Sequence, residues 1–301
     1  MALNKQVFKT RAITALVFVA VMLVGLFYNS YSFMALFTII NIGAWVEYFK
    51  LIEKINANSI KKYAQWLIIF LSILLCFTIG YPLTFFSKIT LITGINISIQ
   101  PLLLLSVAIS LLLFLWQKNV CNNYLKKMCV AGFFYITMPI AMLFHLWHTP
   151  VYLNTITANN VLYTNIFPLA ILCSIWVNDT MAYIVGSFIG KTPFSKISPK
   201  KTWEGTIGGA ILCIVMVGFL FPILMQKQLS NTNLPSVTWF CIAAICAVFG
   251  TAGDLLESKL KRLANVKDSG SFMPGHGGFL DRFDSLLIAT PLVWLYIQLF
   301  V

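Results

Sequence analysis

Nine apolar stretches, each near the length needed to cross a hydrocarbon core, dominate this sequence: about 12–28, 32–49, 64–86, 99–117, 128–148, 161–190, 206–225, 237–257 and 284–301. A core about 30 Å thick takes roughly 20 helical residues. A chain inside it must satisfy its backbone polar groups without water, which favours helices. The expected fold class is therefore an all-α polytopic membrane protein with about nine transmembrane helices. The sixth stretch is long, with Pro168 and Asn178 as places for a tilt or a break. Charged residues are only 10% of the chain and hydrophobic ones 59%, whereas a soluble domain is about 25% charged. A soluble globular enzyme is excluded.

The charges then orient the helices. The chain holds 21 Lys and Arg against 9 Asp and Glu, a net charge of +12. In a soluble protein that excess would suggest nucleic acid. Here, with the N-terminus cytoplasmic, every basic residue except Lys88 and Lys227 falls on the cytoplasmic side, as the positive-inside rule requires. One helix more or fewer scrambles that partition. The expectation is an inside N-terminus, an opposite-side C-terminus and no nucleic-acid partner. Lys5, Lys9 and Arg11 precede a first run too long for a signal h-region and lacking an A-x-A site, so it reads as an uncleaved helix.

Much of the remainder is ordinary. The seven cysteines form no C-x-x-C pair and lie largely in apolar runs, where a thiol acts as a small hydrophobe. His145 and His148 flank Trp147, a residue group at home in a membrane interface. Thr149–Asn160 reads as an outer connector. Gly186–Gly190 and Gly205–Gly209 have the spacing that permits close helix packing. With no soluble domain or repeat, residues 1–301 read as one integral membrane unit. Helices fill 1–160, and catalytic helices with cytoplasmic loops fill 161–301.

The acids are not scattered. All except Glu47 and Glu53 lie between 179 and 284: Asp179, Glu204, Asp254, Glu257, Asp268, Asp281 and Asp284. Carboxylates near a membrane are costly and usually face an aqueous cavity or a partner. Hard oxygen ligands without a Cys/His set suit Mg²⁺, Mn²⁺ or Ca²⁺. Asp254 and Glu257 are spaced i, i+3, with Lys261 at i+7 extending the face. Asp281 and Asp284 repeat the i, i+3 spacing at the start of the last helix. The two faces either converge on one or two cations or are solvated charges neutralised by Lys261 and Arg282.

Two loops accompany them. Lys267–Gly278 contains Asp268, four glycines, a proline and the one cytoplasmic histidine, His276. Glycines let a backbone approach a ligand and aim N–H groups at an anion, although a plain tight turn has the same composition. Lys191–Gly205 contains four lysines, including Lys200 and Lys201, and a helix cap at Thr202. It lacks Walker A spacing. It reads as a polyanion cradle or as a basic segment drawn to lipid headgroups, and Glu204 and Asp179 are what the second alternative leaves unexplained.

Read together, Ser258–Arg262, Lys267–Gly270 and Pro274–Asp284 resemble the signature of the CDP-diacylglycerol synthases (phosphatidate cytidylyltransferases), with Met273 as a conservative departure. Asn178–Thr180 with Ala182 and Tyr183, Gly186, Gly190–Lys191 and 197–205 are similar to that family's upstream stretch. The resemblance implies an Mg²⁺-dependent dimeric enzyme of a bacterial inner, cytoplasmic membrane, with K⁺ as an accompanying second cation. It implies a reaction of CTP with phosphatidic acid, a membrane lipid, to give CDP-diacylglycerol and pyrophosphate. By motif position Asp254 and Asp281 match the acids of the paired metal site. Lys261, Arg262, Lys267, Asp268, His276, Arg282 and Asp284 match further catalytic positions. Lys200 and Lys201, with Lys261 and Arg262, are expected to face phosphates beside the Thr202 cap, and Asp179 and Glu204 to support the ligands from behind or to serve as additional ones.

That chemistry suits the residues. A phosphate monoester with a second pKa of about 6 needs no strong base to attack. The barrier is anion repulsion, which cations answer. A cation-coupled transporter is the alternative from another class, but it predicts midplane acids in two related halves. The CDP-alcohol phosphatidyltransferases start their motif with Asp-Gly, a pair absent here. A relative acting on another lipid phosphate stays open.

Overall fold

The computed structural model describes residues 5–80, 89–90, 96–97, 99–116, 120–152, 161–163, 165–229, 232, 234–272 and 277–301. Its helices are α1 (Lys5–Phe27), α2 (Ser30–Asn56), α3 (Lys62–Gly80), α4 (Ile99–Trp116), α5 (Asn123–Gly132), α6 (Met138–Trp147), α7 (Ile166–Ile189), α8 (Trp203–Leu224), the short α9 (Gln226–Leu229), α10 (Val237–Leu263) and α11 (Leu280–Phe300). Each of the nine expected stretches holds helix. Among the described residues, seven helices are long and apolar enough to cross a membrane, with α5 and α6 counted as one 25-residue rod; 16–27 and 104–114 form shorter apolar helices. The chain is thus a helical polytopic membrane protein.

Two short antiparallel hairpins depart from a purely helical reading: β1 (Ile89–Thr90) with β2 (Asn96–Ile97), and β3 (Pro150–Tyr152) with β4 (Val161–Tyr163). The second has its first strand in the expected outer connector and its second at the start of the sixth stretch, where Val and Tyr favour extended backbone. The sixth stretch accordingly turns helical only at Ile166 and runs unbroken to Ile189. Pro168 sits in its first turn, where a missing N–H costs nothing. Between α5 and α6 a π turn at Phe133–Thr137 precedes Pro139, which cannot donate to the carbonyl one turn back; a local π adjustment accommodates that loss.

The chain forms two compact units, Met1–His145 with Leu263–Arg282, and Leu146–Arg262 with Phe283–Val301. In this grouping the segment after α10 goes with the N-terminal helices. In the first unit α2 packs on α1, α3 and α5. A buried polar knot ties α2 to α3 and to the π turn after α5: Asn41 Nδ2 donates to Ser72 Oγ at 2.8 Å, and Trp45 Nε1 to Ser72 and Thr137 hydroxyls at 3.0 and 3.1 Å. Such side-chain bonds hold apolar helices in register where hydrophobic burial alone does not discriminate.

In the second unit α7 and α8 pack along their small residues. A Cβ built on Gly205 would lie 2.9 Å from Gly186 Cα, and one on Gly209 would lie 2.6 Å from Ala182 N and Cα. The small-residue spacing thus does what its sequence suggests. Gly209→Leu should cost about 1–3 kcal/mol through overpacking, lowering the thermal midpoint in detergent. Ile211→Leu, at an exposed position, should leave it unchanged, and equal midpoints for both variants would contradict this packing.

Candidate active site

The carboxylates of the second unit are gathered by glycine. Gly253 of α10 lies so close to α11 that a Cβ on it would meet the Asp284 carbonyl and sit 3.0 Å from Ser285 Cα. That approach brings ligand oxygens of Asp254, Glu257 and Asp284 within 4.8 Å of one another. Glu257 is fully buried and Asp284 is 7% exposed. Two ammonium groups answer this charge. Lys201, just before α8, pairs with Asp254, and Lys261, one turn along α10, pairs with Glu257. Asp179 on α7 is an exposed electrostatic neighbour of Asp284.

The donor set suits a hard divalent cation: three close carboxylates, with no His or Cys in the group. α7 carries a buried oxygen of its own. Asn178 is 4% exposed, and its Oδ1 has no partner among the described residues. It follows Ile175 by one turn, and Ile175 approaches the Cβ position of Gly250, which Ser285 also faces.

The loop before α8 is built by its own acid. Glu204 accepts from the backbone N–H groups of Lys191 at 3.2 Å and Thr192 at 3.1 and 3.2 Å. Phe194 N–H donates to Lys201 C=O at 2.7 Å and Trp203 N–H to Thr192 C=O at 3.0 Å, folding 192–203 back on itself. Thr202 caps α8 by accepting from Gly205 N–H at 3.2 Å. Lys191, Lys196 and Lys200 are left exposed. Glu204, expected either to support the ligands from behind or to serve as an additional one, has its oxygens on the backbone of the turn that presents the lysines. The cap is where the sequence put it.

The first unit contains the signature loop. Asp281 Oδ2 accepts from Ser269 N–H at 2.9 Å, Ser269 O–H at 2.9 Å and Gly278 N–H at 2.8 Å. Three donors converge on one oxygen of an acid expected to bind metal. Asp254 lies in the other unit, and the acid grouped with it is Asp284. Arg262, Lys267, Asp268 and Arg282 are exposed. His276 lies outside the described residues.

Sequence reasoning gave Glu47 no role. It is 5% exposed on α2 and accepts from Ser269 O–H at 2.8 Å, Phe279 N–H at 3.0 Å and Leu280 N–H at 2.9 Å. The signal was present: a lone carboxylate inside an apolar run requires a partner.

Comparison with known proteins places the sequence in a family. The sequence model of the cytidylyltransferase family matches residues 9–300. The phosphatidate cytidylyltransferase of Bacillus subtilis is 43% identical over 127 residues, 42% of this chain and 45% of the relative. That of Thermotoga maritima is 42% identical over 132 residues, 44% and 48% of the two chains. That of Rickettsia typhi is 37% identical over 164 residues, 54% and 66%. The match to the first two spans about half the length of each relative. With the family match running through nearly every helix and the acids of α10 and α11 drawn together, this chain belongs to the cytidylyltransferase family.

Proposed function

We propose that this chain is a phosphatidate cytidylyltransferase, joining CTP and phosphatidic acid into CDP-diacylglycerol with release of pyrophosphate. The observation that carries the reading is the group Asp254, Glu257 and Asp284, edged by Lys201 and Lys261. The relatives' shared name supports it. So does the membrane setting, which lets a lipid keep its tails in the bilayer.

Asp254 and Asp284, with Glu257 beside them, would hold Mg²⁺, with K⁺ as an accompanying cation. The motif resemblance pairs Asp254 with Asp281, and Asp281 stays a candidate ligand beside this close group. A divalent cation bound there supplies charge stabilisation for a transferring phosphoryl group. The chain's own residues do the rest. Lys200, Lys201, Lys261 and Arg262 attract the triphosphate and offset charge building on the departing pyrophosphate. The resemblance assigns Lys267, Asp268, His276 and Arg282 to the same signature motif. The phosphatidate oxygen attacks the α-phosphorus in line with the leaving oxygen. It is already largely deprotonated near neutral pH, given a second pKa of about 6, so no residue here has to act as a strong base.

The proposal includes nine spans with the N-terminus inside, the site facing the cytoplasm of a bacterial inner membrane, and a homodimer. Positive-inside asymmetry supports the orientation. A cysteine replacing Lys227 should react with an impermeant maleimide on intact cells above the labelling of the parent protein, and one replacing Lys200 only after lysis. The reverse pattern would overturn the orientation.

The activity is tested with purified protein in mixed micelles, following CTP-dependent formation of the nucleotide-lipid with and without Mg²⁺. Asp254→Asn and Asp284→Asn should each lower kcat by about 100-fold or more, since several kcal/mol of charge stabilisation are at stake. Full turnover in both variants would remove the cation assignment. Turnover with a different lipid phosphate but not phosphatidate would move the chain to another substrate.

A further inference from the structure

The structure assigns Glu47 a positioning role: we propose that this buried carboxylate on α2 sets the backbone of the signature loop and the start of α11, and through them the acids that α11 carries. This inference rests on the cytidylyltransferase reading above and adds to it a residue far from the signature in sequence.

Glu47 uses both oxygens. Oε1 accepts from Phe279 N–H at 3.0 Å, and Oε2 accepts from Leu280 N–H at 2.9 Å and Ser269 O–H at 2.8 Å. Its acceptor therefore meets the entry to α11 where helix N–H groups have no internal partners. Negative charge is favoured at that end of a helix. A glutamate reaching in from another helix thus caps α11 in trans.

The same carboxylate reaches Asp281 through one shared residue. Ser269 Oγ stands 2.8 Å from Glu47 Oε2 and 2.9 Å from Asp281 Oδ2, while Ser269 N–H and Gly278 N–H complete the acceptance at Asp281. Two carboxylates from α2 and α11 are thereby tied to one serine and one short stretch of backbone. Asp284 lies one turn along α11 from Asp281.

The local sequence is shaped to admit Glu47. A Cβ on Gly270 or Gly278 would run into its carboxylate, and a Cβ on Gly43, one turn earlier on α2, would strike the Phe279 ring. Phe279 in turn stacks on Phe272 with centroids 4.2 Å apart. The glycines thus have a second use besides any approach to substrate: they let an anion from α2 sit against the loop. A purely stabilising carboxylate needs only to be neutralised. This one accepts from the two backbone positions that begin α11 and from the serine that also meets Asp281.

The test uses the full chain in mixed micelles, with Glu47→Gln, Glu47→Asp, Ser269→Ala and the double variant Glu47→Gln/Ser269→Ala. Glutamine keeps one acceptor oxygen and turns an NH₂ toward a donor; aspartate keeps the charge but is one methylene short. Displacing a site by about 1 Å can cost roughly 100-fold, so Glu47→Gln should lower kcat by about that factor with the KM for CTP changed less than about threefold. Ser269→Ala should lower kcat about tenfold, and the double variant should lose no more than Glu47→Gln alone, because both act through one network. Glu47→Asp should recover part of the loss.

Hydrogen exchange on the same samples separates this claim from the reaction assignment. The amides of Ser269, Gly278, Phe279 and Leu280 should exchange faster in Glu47→Gln while α8 and α10 stay protected. If the wild type makes no nucleotide-lipid yet those amides loosen selectively, the reaction assignment fails and the anchoring stands. If the wild type turns over and Ser269→Ala with Glu47→Gln retain full kcat, the positioning role is overturned. Should Glu47→Gln not fold, full kcat and unchanged exchange in Ser269→Ala overturn it equally.

Discussion

Taking a carboxylate out of water costs several kcal/mol unless donors or cations meet it, and in a chain that is 59% hydrophobic and 10% charged that requirement governs the polar architecture. Each acid with placed partners meets it in a distinct way. Glu53 accepts from Ile60 N–H and Gln65 Nε2 at the turn between α2 and α3. Glu204 gathers backbone N–H groups before α8. Glu47 and Asp281 gather N–H groups and one serine hydroxyl in the signature loop. Asp254 and Glu257 are met by lysines.

Those solutions divide by function. An acid satisfied by backbone N–H groups is fixed, and it fixes the backbone in return; Glu47, Glu204 and Asp281 behave this way. An acid satisfied by an ammonium group on a flexible stem is exchangeable, because a cation or an incoming phosphate can rearrange the pair. Asp254 and Glu257 are of this second kind; Asp284, grouped with them, also accepts from Ser285 N–H at 2.6 Å. The acids bonded to backbone N–H groups hold the loops in place, and the group met by ammonium ions is the one proposed above to manage anionic substrates.

Much of this was legible in the sequence. Hydrophobic length located the helices, since a bilayer leaves few alternatives. The i, i+3 spacing of Asp254 and Glu257 placed them on one face, and Thr202 announced its own cap. What stayed hidden depended on residues distant in the chain. Nothing in the order of residues indicates that Gly253 lets Asp284 join Asp254, or that Asp281 is occupied by Ser269 and Gly278. Glu47 stands 222 residues before Ser269, and only the folded helices bring them together. The two hairpins escaped notice because strands of two or three residues produce no periodicity.

The central claim, that Asp254 and Asp284 form the cation site, is tested most directly by binding rather than turnover. Titrating Mn²⁺ into purified protein, with free ion followed by electron paramagnetic resonance, should show saturable binding to the wild type that Mg²⁺ displaces. Asp254→Asn and Asp284→Asn, still folded by thermal denaturation, should weaken that binding by about tenfold or more. Wild-type affinity in both variants would contradict the account.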